Sequence, residues 1–429
     1  MTARGAVLLI APLGLVAAGA ATTPLYAAGI AMLALAALLV VLDGRLAPAP
    51  PRLRARRVHD DILSAGAANP VRVDVELPGR STRGWVRDET PSDARSTAVR
   101  WRAAVPGSFS YTVTPTHRGQ VTFGRTVVRS EGPLRLGWRQ CTVGEAETVR
   151  VDADLSAVRT HEALARRGQL AELGLRTLRL SAEGSEFERV RDATPDDPPR
   201  VINWHATART GRLMATELIP ERAQPVVVCL DHGRLMGVGA GLLTKLDHAI
   251  NAALLLVHVA LRTGDRAGCL TFADEVTATL APRAGSTQLR RFLDTVRPLQ
   301  PEETEADYVK AFTHFSRWQT RRSLAVIFTD LLDPEQSRSL LAQCMRLRRH
   351  HLPLVVTVRD PALDDAVRLR PRIGGDAYAR AVAGGLIADR EDTVRLLRRS
   401  GVDTIDSDVR SLSASLVNRY LELKRRARI

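Results

Sequence analysis

At 429 residues, with 45% hydrophobic and 25% charged residues, the chain carries enough apolar material for two or three packed domains, which excludes a disordered tail. The formal net charge is +14, yet among 61 basic residues only Lys245, Lys310 and Lys424 are lysines. The arginines recur at helical spacing on solvated faces, as in "MRLRRHH" and "VRLLRRS", so no nucleic-acid partner is expected. Cys141, Cys229, Cys269 and Cys344 are scattered without C-x-x-C spacing, and two lie in apolar strand-like runs, which argues for reduced, buried thiols and against disulfides or zinc.

Residues 1–44 hold two uncharged apolar segments, Gly5 to Ala21 and Leu25 to Leu42, parted by "TTP". At helical rise the second spans ~27 Å, close to the hydrocarbon thickness of a bilayer, and the two together predict a transmembrane helical hairpin. The rival is a signal peptide, whose three regions Arg4, a short apolar core and Ala18-Gly19-Ala20 resemble, so whether the first segment is cleaved stays open. Arg45, Arg52, Arg54, Arg56 and Arg57 follow the second segment against one acid, Asp43, and the positive-inside rule then places the soluble parts of a multi-pass protein on the cytoplasmic side of the cytoplasmic membrane. Residues 45–57, with "APAPPRLRARR", predict a stiff basic linker at the lipid surface.

From 58 to 155 the pattern turns to short alternating runs: "VRVDVEL", "RGWVRDE", "AVRWRAAV", "SFSYTVTP", "GQVTFGRTVV" and "ETVRVDA". Turn residues punctuate them at the spacing of an antiparallel sandwich, and an all-β immunoglobulin-like domain is expected, with "DETP" (Asp88 to Pro91) and "HRGQ" (His117 to Gln120) as turns. Residues 156–224 connect this domain to the next.

From 225 to 406 strands and helices alternate. "VVVCL", "RAGCLTF", "SLAVIFT", "LPLVVTV" and "VDTI" are apolar runs of the kind buried on both faces of a parallel sheet. Helices are expected near Leu242 to Thr263, Ser286 to Val296, Asp307 to Trp318, Pro334 to Arg348 and Asp376 to Arg399. The fold class is therefore α/β, a doubly wound and mostly parallel sheet, with ligands expected at the carboxyl ends of the strands. A C-terminal helix, within residues 407–429, could pack on this domain or rest on anionic lipid.

Asp231 and Asp330 each follow an apolar strand run and should project at that one edge. Over roughly 225–406 the pattern resembles a von Willebrand factor type A domain, whose divalent-cation site takes D-x-S-x-S after the first strand, a middle-loop threonine and a later aspartate. The resemblance puts Asp231 and Asp330 at the two aspartates and Thr304 or Ser286 at the middle hydroxyl. The two serine positions hold Gly233 and Leu235, which offer no side-chain oxygen. No resident cofactor is expected from so degenerate a set (Asp231, Thr304, Asp330), and magnesium is the ion such donors would suit.

Upstream stands "GSEFERVRDATPDDPPRVINWHATARTGRL". Its Gly184, Glu186, Phe187, Arg191, Asp197, Arg200, Ile202, Asn203, Trp204, Ala208 and Arg209 resemble the signature of the bacterial family called domain of unknown function 58, with Asp196 departing from a usual glycine. The resemblance implies a membrane-anchored accessory protein that works with a MoxR-type AAA ATPase, a protein-binding module and no enzyme. Asp231, His232, Arg234, Thr304 and Asp330 are the expected partner-binding set. The alternative is a metal-assisted hydrolase on the same edge, for which His205 or His232 would be the base. No G-x-S-x-G, H-E-x-x-H or P-loop motif accompanies them.

Overall fold

The two apolar segments form helices α1 (Ala3–Ala18) and α2 (Thr23–Leu46) in the computed structural model, which describes residues 1–18, 23–49, 52–79, 81–154, 158, 187–194, 197, 202–219, 223–332, 334–371 and 374–425. Among the described residues, one helix, over Pro24–Leu46, is long and apolar enough to cross a membrane; α1 is shorter. The helices approach closely where Gly29 meets Val16, since a Cβ at 29 would lie 2.8 Å from Val16 Cγ2. The chain divides into two compact units, Met1–Asp154 and Leu155–Ile429.

The first unit joins this helix pair to eleven strands: β1 (Arg54–Val58), β2 (Ile62–Ser64), β3 (Asn69–Glu76), β4 (Thr82–Asp88), β5 (Ala94–Ser96), β6 (Arg100–Val105), β7 (Gly107–Pro115), β8 (Gly119–Phe123), β9 (Thr126–Glu131), β10 (Trp138–Val143) and β11 (Glu147–Asp152). They form sheets of order β1-β3-β7-β5, β10-β9-β4-β6 and β2-β11-β8. Period-two burial explains the pairing: in β3, Val71, Val73 and Val75 face inward while Arg72 and Glu76 face water. Strand β1 falls inside the stretch expected to be linker. Its Arg54–Val58 pair antiparallel with Glu76–Arg72, and Ser130 Oγ donates to the Pro48 carbonyl at 3.0 Å, so the basic segment is partly built into the sheets. Asp88, expected in a turn, closes β4 fully buried and accepts from Arg57 Nη2 (2.7 Å), Thr126 Oγ1 (2.8 Å) and Tyr111 OH (2.5 Å), tying the first two sheets together.

The β9–β10 loop clasps the helix pair. The Asp43 carboxylate, near the end of α2, accepts from the backbone N–H groups of Leu134 (2.8 Å), Leu136 (2.7 Å) and Gly137 (2.8 Å). Thr2 N donates to the Leu136 carbonyl at 3.0 Å and Trp138 Nε1 to that of Met1 at 2.8 Å. A Cβ at Gly132 would stand 2.2 Å from the Asp43 carbonyl, and one at Gly137 2.4 Å from that of Val40. Only glycine permits this approach.

In the second unit, β12 (Phe187–Asp192) and β13 (Met214–Ile219) pair antiparallel, with helix α3 (Trp204–Thr210) between them in sequence. Strands β14 (Pro225–Asp231), β17 (Arg266–Phe272), β18 (Val276–Arg283), β19 (Leu324–Phe328), β20 (Leu352–Val358) and β21 (Asp403–Ser407) form a six-stranded sheet of order β18-β17-β14-β19-β20-β21; β15 (Gly239–Ala240) and β16 (Leu243–Thr244) are a small ribbon. All neighbours in the large sheet are parallel except β17 and β18. Helices α4 (Lys245–Arg262), α5 (Ser286–Val296), α6 (Tyr308–Trp318), α7 (Pro334–Leu347), α8 (Pro361–Arg368), α9 (Gly374–Arg399) and α10 (Leu412–Arg425) connect and flank these strands. The edge strand β18 and the short α8 were not expected from sequence; β18 alternates half-buried and exposed residues and lacks the apolar run that marks the inner strands.

Every residue of β14 is buried because helices cover both faces. Val227 and Cys229 pack with Phe312, Phe315, Cys344 and Leu397 of α6, α7 and α9, while Val226, Val228 and Leu230 alternate to the other face, where α4 lies. All four cysteines are free and buried. The C-terminal helix packs on the end of α4: Tyr420 OH donates to Asp265 Oδ2 at 2.5 Å, and Lys424 Nζ lies 3.0 Å from Asp265 Oδ1.

Candidate functional site

Strand order reverses between β14 and β19, since the chain runs outward from β14 to β17 and β18 on one side and to β19, β20 and β21 on the other. Such a reversal splays the connecting loops and opens a crevice at the carboxyl ends of the strands. Asp231 ends β14 and Asp330 lies two residues beyond β19, so both expected carboxylates stand at this place.

Neither carboxylate has a free oxygen. Asp231 Oδ1 accepts from the Gly233 N–H at 2.8 Å, and Oδ2 from Thr329 Oγ1 at 2.6 Å; Thr329 also bonds Tyr308 OH at 2.7 Å. Burial pushes the Asp231 carboxyl up to about 6; the Thr329 and Gly233 hydrogen bonds oppose the shift and the Asp330 charge adds to it. Asp330 Oδ2 lies 2.5 Å from Lys245 Nζ, and Oδ1 accepts from Arg390 Nη1 at 3.0 Å and the Leu331 N–H at 2.8 Å. Arg390 continues to Thr357 Oγ1 (2.7 Å) and Asp406 Oδ1 (2.9 Å), and Arg359 Nε reaches Asp406 Oδ2 at 2.9 Å. Lys245, Arg390 and Asp330 are almost wholly shielded from water.

The other expected residues divide into buried and exposed. His232 is buried; its N–H donates to the Phe272 carbonyl at 3.0 Å, its carbonyl accepts from Glu302 N at 2.8 Å, and Nε2 lies 2.9 Å from Thr277 Oγ1. Burial lowers its pKa, against the charge of Glu302. Thr304 is half-buried, its carbonyl accepts from Arg234 N at 2.8 Å, and its buried Oγ1 has no hydrogen-bond partner among the described residues. Arg234 is exposed and pairs with Glu305 at 2.8 Å, which also accepts from Gln336 Nε2 at 3.0 Å. Asp231, Gly233, Leu235, Glu305 and Tyr308 line a cleft of about 20 Å³, room for one water. Ser286 starts α5 after β18, whose end pairs with the start of β17; it therefore lies at the opposite edge of the sheet and cannot join Asp231. His205 is exposed on α3.

A divalent ion does not fit these residues. Asp330 is already charge-paired twice, and each Asp231 oxygen already accepts one hydrogen bond from the chain. A serine at 233 would bring its Cβ 2.8 Å from the Thr304 carbonyl, so the loop has closed over the position where the expected pattern places a ligand. Among the described residues, no three His, Cys, Asp or Glu side chains converge on one point.

Sequence reasoning missed Lys245, Arg390, Thr329, Thr357, Tyr308 and Asp406. Lys245 carried a signal: it is one of three lysines in an arginine-rich chain, and it directly follows Thr244, whose capping box with Asp247 fixes the helix start. Of the signature residues, Gly184, Glu186 and Arg200 lie outside the described residues, and for Phe187 and Arg191 only the backbone is described. Asn203 caps α3, accepting from Ala206 N at 2.9 Å; Ile202 bridges to Ala215 on β13; and Asp197 accepts from Thr194 N at 2.7 Å. Trp204, Ala208 and Arg209 are exposed. These residues build a capped turn and helix beside the β12–β13 pair.

The comparisons with known proteins agree with this placement. Residues 189–368 match the family model described as "Protein of unknown function DUF58". Uncharacterized proteins of Mycobacterium tuberculosis and Mycobacterium bovis are 28% identical over 239 residues, 51% of this chain and 73% of theirs. The crystal structure of the conserved hypothetical protein BatB from Bacteroides thetaiotaomicron is similar over 47% of this chain and 99% of that one, at 13% identity and a TM-score of 0.33. An uncharacterized membrane spanning protein from Vibrio fischeri covers 47% of this chain and 96% of its own, at 13% identity and a TM-score of 0.16. Both structural likenesses are remote. Asn203, Trp204 and Arg209 lie inside the matched stretch, so the match to the DUF58 family model falls on signature residues read from the sequence.

Proposed function

We propose that this chain is a membrane-anchored protein-interaction module, an accessory to a MoxR-type AAA ATPase, and not itself a catalyst. In this reading the α1–α2 pair is a transmembrane hairpin, and the soluble units face the cytoplasm, as the arginines at 45, 52, 54 and 56 favour. The first unit is an immunoglobulin-like sandwich. The second is a von Willebrand factor type A-like domain with a degenerate metal-ion-dependent adhesion site, which the strand order and the Asp231 and Asp330 positions support. The observation that carries the reading is the inward use of the Asp231 and Asp330 carboxylates at the strand-order reversal. Groups spent on the chain's own donors are poorly placed to activate water, whereas the loops they hold offer a polar rim of the exposed Arg234 and Glu305 with the half-buried Gln336.

A crosslinking pull-down from native membranes tests this, comparing wild type with Arg234→Glu. Arg234 is half exposed, so reversing it should leave stability within about 0.5 kcal/mol while partner recovery falls several-fold. Undiminished recovery would move the interface off this edge, and a wild type that recovers no AAA ATPase would sink the partner assignment.

A further inference from the structure

We infer that the carboxyl edge of the six-stranded sheet is a cation site filled by the chain itself: the Lys245 ammonium occupies the place of a divalent ion at Asp330, so docking on this edge needs no metal. The assignment stands on geometry, and only the word docking rests on the function proposed above.

Two buried cations, Lys245 and Arg390, hold the buried Asp330, and Arg390 goes on to Asp406, which the exposed Arg359 also meets. Asp330 is thus already compensated, so a divalent ion at the same carboxylate would set added positive charge beside two buried cations, where uncompensated charge is most costly. The position of the ammonium is dictated by backbone. Thr244 caps α4, accepting from Asp247 N at 3.1 Å while Asp247 Oδ2 accepts from Thr244 N at 3.1 Å, and Lys245 is the first helical residue. A helix start fixed on both sides delivers the side chain to Asp330 with little freedom to withdraw. Residue type matters too. An ammonium is a compact point charge, whereas a guanidinium is broad and planar, and Arg390 already holds the other oxygen of Asp330. This accounts for a lysine surviving at 245 in a chain that otherwise uses arginine almost throughout.

The same geometry explains the missing serines. With the charge supplied from α4, no hydroxyl is needed at 233, and the space it would fill is taken by the Thr304 carbonyl, which instead accepts from Arg234 N and fixes the rim.

The test is Mn2+ binding to the full chain in detergent, followed by electron paramagnetic resonance, with thermal melts in Mn2+ and in chelator. Wild type should show no stoichiometric Mn2+ and a melting midpoint unmoved by either. Lys245→Ala should gain one site at least about tenfold tighter than any wild-type binding, with a midpoint that rises in Mn2+. Lys245→Ala/Asp330→Asn should lose both gains. Wild type that binds one Mn2+ in a manner abolished by Asp330→Asn overturns the proposal, as does a folded Lys245→Ala chain that gains nothing. A Lys245→Ala chain left unfolded with and without Mn2+ also counts against it, because a metal in that place should restore the missing charge. Failure of the partner reading would leave all of these results untouched.

Discussion

Asp88 in the first unit and Asp330 in the second are both fully buried carboxylates held by the chain's own cations, yet they sit in different kinds of place. Asp88 lies between two sheets, where Arg57, Tyr111 and Thr126 converge on it and nothing from outside could reach. Asp330 stands at a strand-order reversal, where α/β folds leave room for ligands, and it is closed by Lys245 and Arg390 all the same. The first cluster is framework throughout. The second has the position of a binding site and the wiring of framework, and the difference shows that location in a fold does not by itself keep a site open; the residues two or three elements away decide it.

Four substitutions would break or sharpen this contrast, each read on the detergent-solubilised chain. Asp330→Ala should be the most damaging, because it leaves the Lys245 ammonium unpaired in the interior and takes one of the two carboxylates that hold Arg390; a loss of about 5 kcal/mol is expected. Asp88→Ala leaves Arg57 with the more distant Glu147 (3.8 Å) and the Gly124 carbonyl, and should cost less, about 3 kcal/mol. If Asp330→Ala proves milder than Asp88→Ala, the edge cluster is wetter than its burial implies and the contrast fails.

Asp231→Asn probes the neighbour of Asp330 through pH. The folded carboxyl sits at about 6 against 3.8 unfolded, so the native state holds the extra proton between those values. The stability this proton contributes is complete below 3.8 and lost as pH rises through about 6. Wild type minus Asp231→Asn should therefore decline by about 3 kcal/mol across that window. A flat difference would mean that Asp231 is not desolvated in solution. Smallest of the set is Gly233→Ser, at about 2 kcal/mol, from crowding the Thr304 carbonyl. A neutral outcome would show that the loop yields, and that the absent serine is not a consequence of packing.

Much of this was legible in the sequence because the period of burial is a strong signal. Continuous apolar runs located β14, β17, β19 and β20, the helix over Ser286–Val296 was placed to the residue, and Asp231 and Asp330 were assigned to one edge. What escaped was long-range and polar. Arg390 lies 60 residues from Asp330 and Lys245 lies 85, and no local pattern announces either pairing. Edge strands escaped for a related reason: β1 and β18 are covered on few sides, so their residues need not be apolar and read as linker or loop. Asp88 looked like a turn residue since "DETP" has turn composition, and only the sheets packed around it reveal a buried hub.

The clasp on Asp43 sets how force passes between the helices and the strands. Three backbone N–H groups of one loop hold the carboxylate, the same loop holds Thr2, Trp138 at the start of β10 holds Met1, and glycines at 132 and 137 let the loop lie flush against α2. A hairpin gripped at both its free ends cannot swivel beneath the sheets as a leash would allow. A tilt or turn of the helix pair is delivered to the strands as a rotation of the whole first unit, so that this unit behaves as the head of a bolt whose shank is the hairpin.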